Sequence, residues 1–341
     1  MPVRVAINGF GRVGRSVLRS AHERGSEIEI VAINDLADAG MLANLLRYDS
    51  VYGPFAGEVT FGEDFMEVDG HRIAVSCTTD VETLPWAQLG VDVVIESTGK
   101  LRTRAAAARH LEAGARKVII SAPGKEVDAT VVLGVNFDEV YDPEHHDVIS
   151  NASCTTNCLA PVAKVLHETV GIRHGLMTTI HAYTGDQQLI DGPHSDPRRA
   201  RSAAINLVPT STGAAKALGL VIPELEGKLH GFAVRAPVPT GSIVDLTIET
   251  QRATTAAEIN AAFRERAEVG SLAGILAYTE DPIVSSDIVR SPYSAIFDSQ
   301  LTAVVDGTQV KVIAWYDNEW GYSTRLAELA ALVGTKVPQA A

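Results

Sequence analysis

The stretch NGFGRVG, residues 8–14, decides the fold of the N-terminal half. Before it, residues 3–7 (VRVAI) alternate apolar with smaller or polar side chains, which is typical of a strand. After it, apolar residues recur at helical spacing from residue 12 to residue 24, and Gly25 ends the pattern. A glycine-rich turn between a strand and a helix therefore opens the chain.

The glycines of this turn have the G-x-G-x-x-G spacing of a pyrophosphate-binding loop. Gly9 would allow the tight turn, Gly11 would let the backbone approach a pyrophosphate, and Gly14 would let helix and strand pack closely. The helix N-terminus would face the phosphates with unpaired N–H groups. Such turns also serve purely structural ends, but the strand before and the helix after favour nucleotide binding.

Asp35 ends the next strand-like segment, at about the 20-residue distance that a dinucleotide site requires. Its carboxylate could accept hydrogen bonds from a ribose 2′-hydroxyl but would repel a 2′-phosphate. The sequence therefore predicts NAD as the cofactor and not NADP. The alternative is an aspartate that caps the following turn.

Strand-like and helix-like segments alternate through the first half, which predicts an α/β fold with a doubly wound (Rossmann) N-terminal domain. Further strands are predicted at 28–34, 91–97 and 117–122, and helices at 41–46 and 101–113. Their near-continuous Val and Ile content is typical of a parallel sheet covered on both faces.

The second half has a different pattern, with a long helix at 154–169 and then longer strands. The strands are predicted at 176–183, 228–236, 241–250 and 310–317. We expect an α+β catalytic domain, 154–317, with a mostly antiparallel sheet. The nucleotide-binding domain would span 1–153, and a C-terminal helical segment, 318–341, would dock back on it. The long loop at 184–201 is expected to be functional or to lie at an interface.

The composition excludes several partners. The formal charge is −13, from 42 acidic residues against 29 Lys and Arg, so neither nucleic acid nor an anionic membrane is expected to bind. The three cysteines (Cys77, Cys154 and Cys158) do not form a disulfide framework, which favours a reducing compartment, the cytoplasm. A metal site is not expected, because C-x3-C lacks two further zinc ligands.

Cys154 lies at the start of the long predicted helix, where the positive end of the helix would lower the pKa of its thiol. Ser153 is a plausible N-cap. His181, at the end of a predicted strand, could serve as the base for this nucleophile. The alternatives are an inert buried thiol and a structural histidine, and for Cys158 we expect a core thiol.

Several segments resemble those of phosphorylating glyceraldehyde-3-phosphate dehydrogenases, in the same order and over essentially the whole chain. They are INGFGR (7–12), NASCTTNC (151–158), HAYTGDQ (181–187), RRAR (198–201), PTSTGAAKA (209–217) and WYDNEWGY (315–322). The resemblance implies that Cys154 attacks the aldehyde and that His181 pairs with its thiolate and then acts as the base. A thioacyl enzyme would form and be released by inorganic phosphate. It also implies a homotetramer.

The resemblance further assigns site residues. Those implied for the substrate and attacking phosphates are Ser153, Thr155, Thr184, Asp186, Arg198, Thr212, Gly213 and Arg235. Those implied for the cofactor are Asn8, Gly9, Phe10, Gly11, Arg12, Val13, Asp35, Thr98, Gly99, Ser121, Asn318 and Tyr322. Thr79 and Leu101 depart from the family pattern near the adenosine, which concerns cofactor affinity and not cofactor identity.

The expected activity is oxidative phosphorylation of D-glyceraldehyde 3-phosphate to 1,3-bisphosphoglycerate in glycolysis, with NAD as oxidant. One alternative is an erythrose-4-phosphate dehydrogenase. Another is a non-catalytic, NAD-binding regulatory protein on the same fold.

Overall fold

The computed structural model describes residues 2–337, which form two compact units. The first unit comprises the residues up to 131, residues 138–152 and the residues from 323 onward. The second comprises residues 132–137 and 153–322. The predicted C-terminal segment 318–341 is thus divided between the units, and its residues 338–341 lie outside the described residues.

Strands and helices follow one another along the described residues. The strands are β1 Val3–Asn8, β2 Ile28–Asn34, β3 Val59–Phe61, β4 Phe65–Val68, β5 His71–Ser76, β6 Val93–Glu96, β7 Lys117–Ile120, β8 Ala129–Thr130, β9 Val148–Ser150, β10 Ile172–Ala182, β11 Val208–Ser211, β12 Leu229–Ala236, β13 Ser242–Thr250, β14 Leu276–Thr279, β15 Ala295–Val305 and β16 Gln309–Tyr316. The helices are α1 Arg12–Arg24, α2 Ala39–Arg47, α3 Arg104–Glu112, α4 Phe137–Val140, α5 Cys154–Val170, α6 Ala214–Val221, α7 Ala256–Glu268 and α8 Trp320–Thr335. Short 3₁₀ turns cover Val81–Thr83 and Pro223–Leu225.

The first unit is built on a sheet with the strand order β3-β4-β5-β2-β1-β6-β7-β9-β8. From β5 to β8 every neighbouring pair is parallel, as the Val- and Ile-rich segments predict. All four residues of β6 are buried, which is expected for a strand covered on both faces. The predicted fold class is confirmed for this half.

An antiparallel extension, β3-β4-β5, was missed by the sequence analysis. These strands have only three to six residues, and β3 exposes two of its three, so the apolar periodicity is weak. The sequence nonetheless contains one turn signal between β4 and β5, the pair Asp69-Gly70. In the structure both residues take positive φ angles, 49° and 80°. Asp-Gly is a preferred pair for such hairpin turns.

Helix α8 continues from the second unit into the first, where it contacts α1. The Thr324 hydroxyl lies 2.8 Å from that of Ser20, and the Ser323 hydroxyl donates to the carbonyl of Val13 at 3.4 Å. A side chain at Gly334 would collide with Val3, at 2.1 Å. Close packing therefore holds α8 against the first helix and the first strand.

The second unit contains a sheet with the strand order β11-β12-β10-β13-β16-β15-β14. Four of its six neighbouring pairs are antiparallel, so the prediction of a mostly antiparallel sheet is confirmed. The burial of β13 alternates strictly, with one face against the core. Helices α5 to α7 cover that face, and Phe263 of α7 stacks on Phe297 of β15 at 3.7 Å.

Two features of the second unit position its functional groups. Strands β10 and β12 are parallel and in register, so His181 lies directly beside Arg235. Helix α5 begins at Cys154, as the sequence predicts. Among residues 2–337, no helix combines the length and apolar character needed to cross a membrane.

Candidate active site

Cys154 is the first residue of α5. The side chain of Ser153 caps the helix by accepting the N–H of Thr156 at 3.1 Å, so the predicted N-cap is confirmed. Sγ of Cys154 lies 3.4 Å from Nε2 of His181. The structure therefore brings together the predicted nucleophile and its predicted base.

The contacts of His181 determine which ring nitrogen faces the thiol. Nδ1 lies 2.7 Å from the carbonyl of Ala182 and 2.6 Å from a guanidinium nitrogen of Arg235. The Ala182 carbonyl can only accept and Arg235 can only donate, so these two contacts favour opposite tautomers. We assign the ring proton to Nδ1, as the donor to Ala182, because Arg235 has that carbonyl as an alternative acceptor, at 3.1 Å. Nε2 then carries a lone pair toward Sγ, which is the arrangement of a general base.

Burial governs the electrostatics of this pair. It raises the pKa of the Cys154 thiol, against the opposing effects of Arg235 and of hydrogen bonds from Thr155. Burial, and then the positive charge of Arg235, lowers the pKa of His181 to about 3. The predicted lowering of the thiol pKa by the helix N-terminus is therefore outweighed by desolvation.

Burial disfavours a thiolate on Cys154 or an imidazolium on His181 when either forms alone, but the two charges can form together. Transfer of the proton from Sγ to Nε2 creates a thiolate and an imidazolium 3.4 Å apart. Their attraction in a buried setting offsets the desolvation that each would suffer separately. The ion pair implied by the resemblance would then form by proton transfer within a neutral pair.

Tyr316, which the sequence analysis missed, supports both partners. Its ring meets that of His181 edge-on, with centroids 5.9 Å apart. Its hydroxyl lies 2.8 Å from that of Thr155 and 2.9 Å from that of Thr179. The Tyr316 hydroxyl therefore links Thr155 at the start of α5 to Thr179 in β10.

Two arginines give the site positive charge. Among residues 2–337, no carboxylate lies within ion-pair distance of Arg235, and its buried Nε has no hydrogen-bond partner. Arg199 donates to the Asp186 carboxylate, to the Thr210 hydroxyl at 2.9 Å and to the Ser211 carbonyl at 3.2 Å. Both cations contribute to the low pKa of His181.

Arg199 acts on the electrostatics of His181. Arg198, predicted to bind phosphate, is not among the groups that shift the pKa of His181. Arg198 instead lines a separate cavity of about 530 Å³ together with Thr212. The carboxylate of Asp186 is engaged with Arg199 and would itself repel a phosphate, so its effect on a bound phosphate would pass through Arg199. The sequence contains adjacent arginines in RRAR. Because this loop has no regular periodicity, the sequence does not predict which of the two side chains contacts Asp186 and Thr210.

The remaining residues predicted to bind phosphate lie at loops and helix starts of the second unit. The Thr212 hydroxyl accepts the N–H of Ala214 at 3.2 Å, and Gly213 precedes α6 without a side-chain cap. Thr184 donates its N–H to the Gln187 side chain at 3.3 Å. The N–H of Ala214 is thus engaged with Thr212, and an anion at the start of α6 would bind to the N–H groups that follow it.

The glycine-rich turn has the geometry that its sequence predicts. Gly9 has a φ of +93°, and a Cβ there would lie 2.7 Å from the N atom of Thr98. A Cβ at Gly14 would lie 2.4 Å from the carbonyl of Gly9. A Cβ at Gly11 would meet no atom within 4 Å, and the N-terminus of α1 has no side-chain cap. Open space at Gly11 and a helix N-terminus without a side-chain cap therefore fit a pyrophosphate at this turn.

Asp35 joins the second strand to the turn, since its carboxylate accepts the N–H of Phe10 at 2.7 Å and of Leu36 at 2.6 Å. It borders a cavity of about 280 Å³. The lining is Asn8, Gly9, Gly11, Asn34, Asp35, Leu36, Thr78, Thr79, Val81, Ser97, Thr98, Lys100 and Leu101. Five predicted cofactor residues are among them, as are Thr79 and Leu101.

Other predicted cofactor residues do not line this cavity. Phe10 is buried, the Arg12 side chain pairs with Asp49, and Val13 lies within α1. Gly99 has a positive φ of 71° in the loop after β6. Ser121 follows β7 and donates its N–H to the carbonyl of Glu96 at 2.9 Å.

The last two predicted cofactor residues belong to the second unit. Oδ1 of Asn318 accepts the Ser242 hydroxyl at 2.8 Å, which orients the amide with Nδ2 as its donor. Tyr322 is buried, and this burial raises the pKa of its hydroxyl well above the usual value. Within the described residues, no group of three or more His, Cys, Asp or Glu is placed to hold a metal ion.

Comparison with known proteins identifies the family. Residues 3–104 match the NAD binding domain of glyceraldehyde 3-phosphate dehydrogenase, and residues 153–318 match its C-terminal domain. This chain belongs to the glyceraldehyde 3-phosphate dehydrogenase family. It is 57% identical over 337 residues to the glyceraldehyde-3-phosphate dehydrogenase of Streptomyces coelicolor, covering 99% of this chain and 100% of that protein. It is 56% identical over 336 residues to that of Geobacillus stearothermophilus, covering 98% of this chain and 99% of that protein.

Family membership confirms the resemblance found in the sequence. The matched NAD binding domain contains the glycine-rich turn and Asp35, and NAD is the cofactor of this dehydrogenase family. The matched C-terminal domain contains Cys154, His181, Arg199 and Arg235.

The Cys154–His181 pair leads to a prediction about thiol reactivity. In a His181→Asn variant the thiol has no imidazole to accept its proton, so the thiolate must form at the pKa that burial raises. We expect alkylation of Cys154 by iodoacetamide at pH 7 to slow by about 100-fold or more, and the midpoint of its pH profile to move upward.

The matched control is His174→Asn, which alters an exposed histidine on the same strand. Its alkylation profile should coincide with that of the unaltered enzyme. A His181→Asn profile that also coincided with it between pH 6 and 9 would exclude His181 as the base.

Proposed function

We propose that this chain oxidises D-glyceraldehyde 3-phosphate with NAD and captures the acyl group with inorganic phosphate, giving 1,3-bisphosphoglycerate. The observation that carries the proposal is the Cys154–His181 contact of 3.4 Å beside the guanidinium of Arg235. A nucleophile, a base and a cation for anionic substrates thus belong to one unit. The names of the relatives in Streptomyces and Geobacillus support the same substrate.

The first step is addition of the thiol to the aldehyde. Sγ of Cys154 forms a bond to the carbonyl carbon as its proton passes to Nε2 of His181. The imidazolium then returns this proton to the former carbonyl oxygen, and a hemithioacetal results. The neutral resting state of His181, with a pKa of about 3, leaves Nε2 free to accept the proton.

The second step is oxidation of the hemithioacetal. Bound NAD supplies the hydride acceptor for the carbon that carries sulfur. His181 takes the hydroxyl proton as the carbonyl re-forms, so the product on Cys154 is a thioester. We propose that Nδ2 of Asn318 donates to the nicotinamide carboxamide, because the contact with Ser242 already orients that amide.

The third step releases the acyl group. Inorganic phosphate attacks the thioester carbon, the C–S bond breaks, and Cys154 leaves as the thiolate that His181 can stabilise. We propose that Arg235 and Arg199 hold the substrate and attacking phosphates. The N–H groups after Ser153 and Gly213, with the hydroxyls of Thr184 and Thr212, would complete the two anion sites.

In the cofactor cleft, we propose that Asp35 selects NAD over NADP. Its carboxylate remains close to the turn through Phe10 and Leu36, and a 2′-phosphate there would meet a like charge. Gly9, Gly11 and the start of α1 would receive the pyrophosphate.

A phosphate-dependent assay tests the function. We expect NADH to form from glyceraldehyde 3-phosphate and NAD, and turnover to require inorganic phosphate because the thioester must be released. Cys154→Ser should lower kcat by about 1,000-fold or more, and Cys77→Ser, at an exposed cysteine, should leave it unchanged. Equal turnover without phosphate would contradict the proposal, and faster turnover of erythrose 4-phosphate would change the substrate.

We also propose that the enzyme is a homotetramer of the cytoplasm. The segment that follows His181 exposes a group of large apolar side chains: Leu189 (73%), Ile190 (75%), Ile205 (80%) and Leu207 (68%). Apolar side chains grouped in this way mark an interaction surface.

Sedimentation equilibrium tests the assembly. A single species of four chains is expected, and Ile205→Ser with Leu207→Ser should lower its mass. A monomeric unaltered enzyme would exclude the tetramer, and recovery of the enzyme outside the cytoplasm on cell fractionation would exclude that location.

A further inference from the structure

A string of buried hydrogen bonds crosses the carboxyl ends of three strands in the first unit. Glu96 ends β6, Asn8 ends β1 and Asn34 ends β2, and all three are at most 3% exposed. Nδ2 of Asn8 donates to Oε2 of Glu96 at 2.5 Å, and Nδ2 of Asn34 donates to Oδ1 of Asn8 at 2.7 Å. The string lies directly beneath the cofactor cleft, because Asn8 and Asn34 line it.

Both ends of the string reach further parts of the first unit. Beyond Asn34, Nδ2 donates to the carbonyl of Thr78 at 3.0 Å and Oδ1 accepts the N–H of Thr78 at 3.1 Å. Beyond Glu96, Nε2 of His110 lies 3.1 Å from Oε2, and Nε1 of Trp86 donates to Nδ1 of His110 at 3.1 Å. His110 and Trp86 are fully buried.

The polarity of the string is fixed at its two ends. The indole of Trp86 can only donate, so Nδ1 of His110 must accept and Nε2 must carry the proton toward Glu96. The backbone of Thr78 offers one donor and one acceptor, which fixes the amide of Asn34 and through it that of Asn8. Every group between these ends therefore has one allowed orientation.

Glu96 receives all of these donors. Oε2 accepts from Asn8 and His110, and Oε1 accepts the N–H of Thr98 at 2.9 Å and also its hydroxyl. Four donors directed at one side chain fit an ionised carboxylate, which only accepts. A glutamine of the same shape would set its NH₂ group either against the N–H of Thr98 or against the donors of Asn8 and His110, and none of these donors can turn.

The contact with Thr98 connects Glu96 to the glycine-rich turn. The space between the turn and the Thr98 backbone is so small that a Cβ on Gly9 would lie 2.7 Å from the N atom of Thr98. Thr98 also lines the cleft. Displacement of Thr98 would therefore displace the turn that is proposed to receive the pyrophosphate.

We infer that Glu96 is a positioning residue for NAD. Its carboxylate fixes Asn8, Asn34 and Thr98 at the cleft, through a string of hydrogen bonds in which each donor and acceptor has one allowed orientation. This inference rests on the cofactor cleft proposed above. Glu96 acts through its neighbours, so its loss weakens cofactor binding and leaves the chemistry at Cys154 intact.

The test measures the Kd for NAD by titration calorimetry, together with steady-state constants, in the full-length enzyme. Glu96→Gln is expected to raise the Kd and KM for NAD by about tenfold or more, the scale of a lost hydrogen bond to a charged group. The kcat at saturating NAD and the KM for glyceraldehyde 3-phosphate should stay within about twofold of the unaltered values. A Kd within twofold of the unaltered enzyme would overturn the inference.

Two variants of His110 test the polarity, and they also decide the matter if Glu96→Gln does not fold. In His110→Gln the amide oxygen can accept from Trp86 and the NH₂ group can donate to Glu96, so the Kd for NAD should stay within about threefold. His110→Leu breaks the string and should raise the Kd about tenfold. Equal Kd values for the two variants would overturn the inference.

Asp35→Ala separates failure of this inference from failure of the proposed cleft. If Asp35→Ala raises the Kd for NAD and Glu96→Gln does not, the cleft stands and the role of Glu96 is wrong. If neither changes the Kd, the cleft itself is wrong. The exposed Glu63→Gln, which removes one carboxylate from the same unit, should behave as the unaltered enzyme.

Discussion

The contact between Sγ of Cys154 and Nε2 of His181, at 3.4 Å, is the interaction on which the active site depends. Burial raises the pKa of the Cys154 thiol and lowers that of the His181 imidazole, which favours proton transfer within the pair over separate ionisation of either group. The surrounding residues serve this transfer: Ala182 fixes the tautomer of the ring, and Tyr316 packs against its edge. Desolvation thus couples formation of the nucleophile to protonation of its base.

Functional groups in both units gather where strands end, since side chains at the ends of neighbouring parallel strands meet at one edge of a sheet. His181 and Arg235 lie side by side near the ends of β10 and β12. In the first unit, Asn8, Asn34 and Glu96 occupy the last positions of β1, β2 and β6. The first group would offer a cation to anionic substrates, and the second forms a hydrogen-bonded floor beneath the proposed cofactor cleft.

Local patterns predicted much of this architecture. Periodicity and a closing glycine predicted α1 with its observed bounds, and the start of α5 was correct. Contacts between distant residues could not be predicted: Tyr316 meets Thr155 across 161 positions, and no local pattern records that pairing. The contacts of Arg199 with Asp186 and Thr210 were not predicted, because an irregular loop has no period that tells which side chain turns inward. The sequence predicted only that Glu96 belongs to an apolar strand. The positioning role inferred for it depends on hydrogen bonds that link it to His110 and, through His110, to Trp86, which lie in other segments.

Mass spectrometry of the acylated enzyme tests the proposed chemistry at Cys154 most directly. The enzyme is mixed with glyceraldehyde 3-phosphate and NAD without inorganic phosphate, quenched in acid and digested. We predict a 3-phosphoglyceryl adduct on the peptide that contains Cys154, at the Cys154 sulfur, and loss of this adduct when inorganic phosphate is added before the quench. An adduct located on Cys158 or Cys77, or no adduct while NADH forms, would contradict this mechanism.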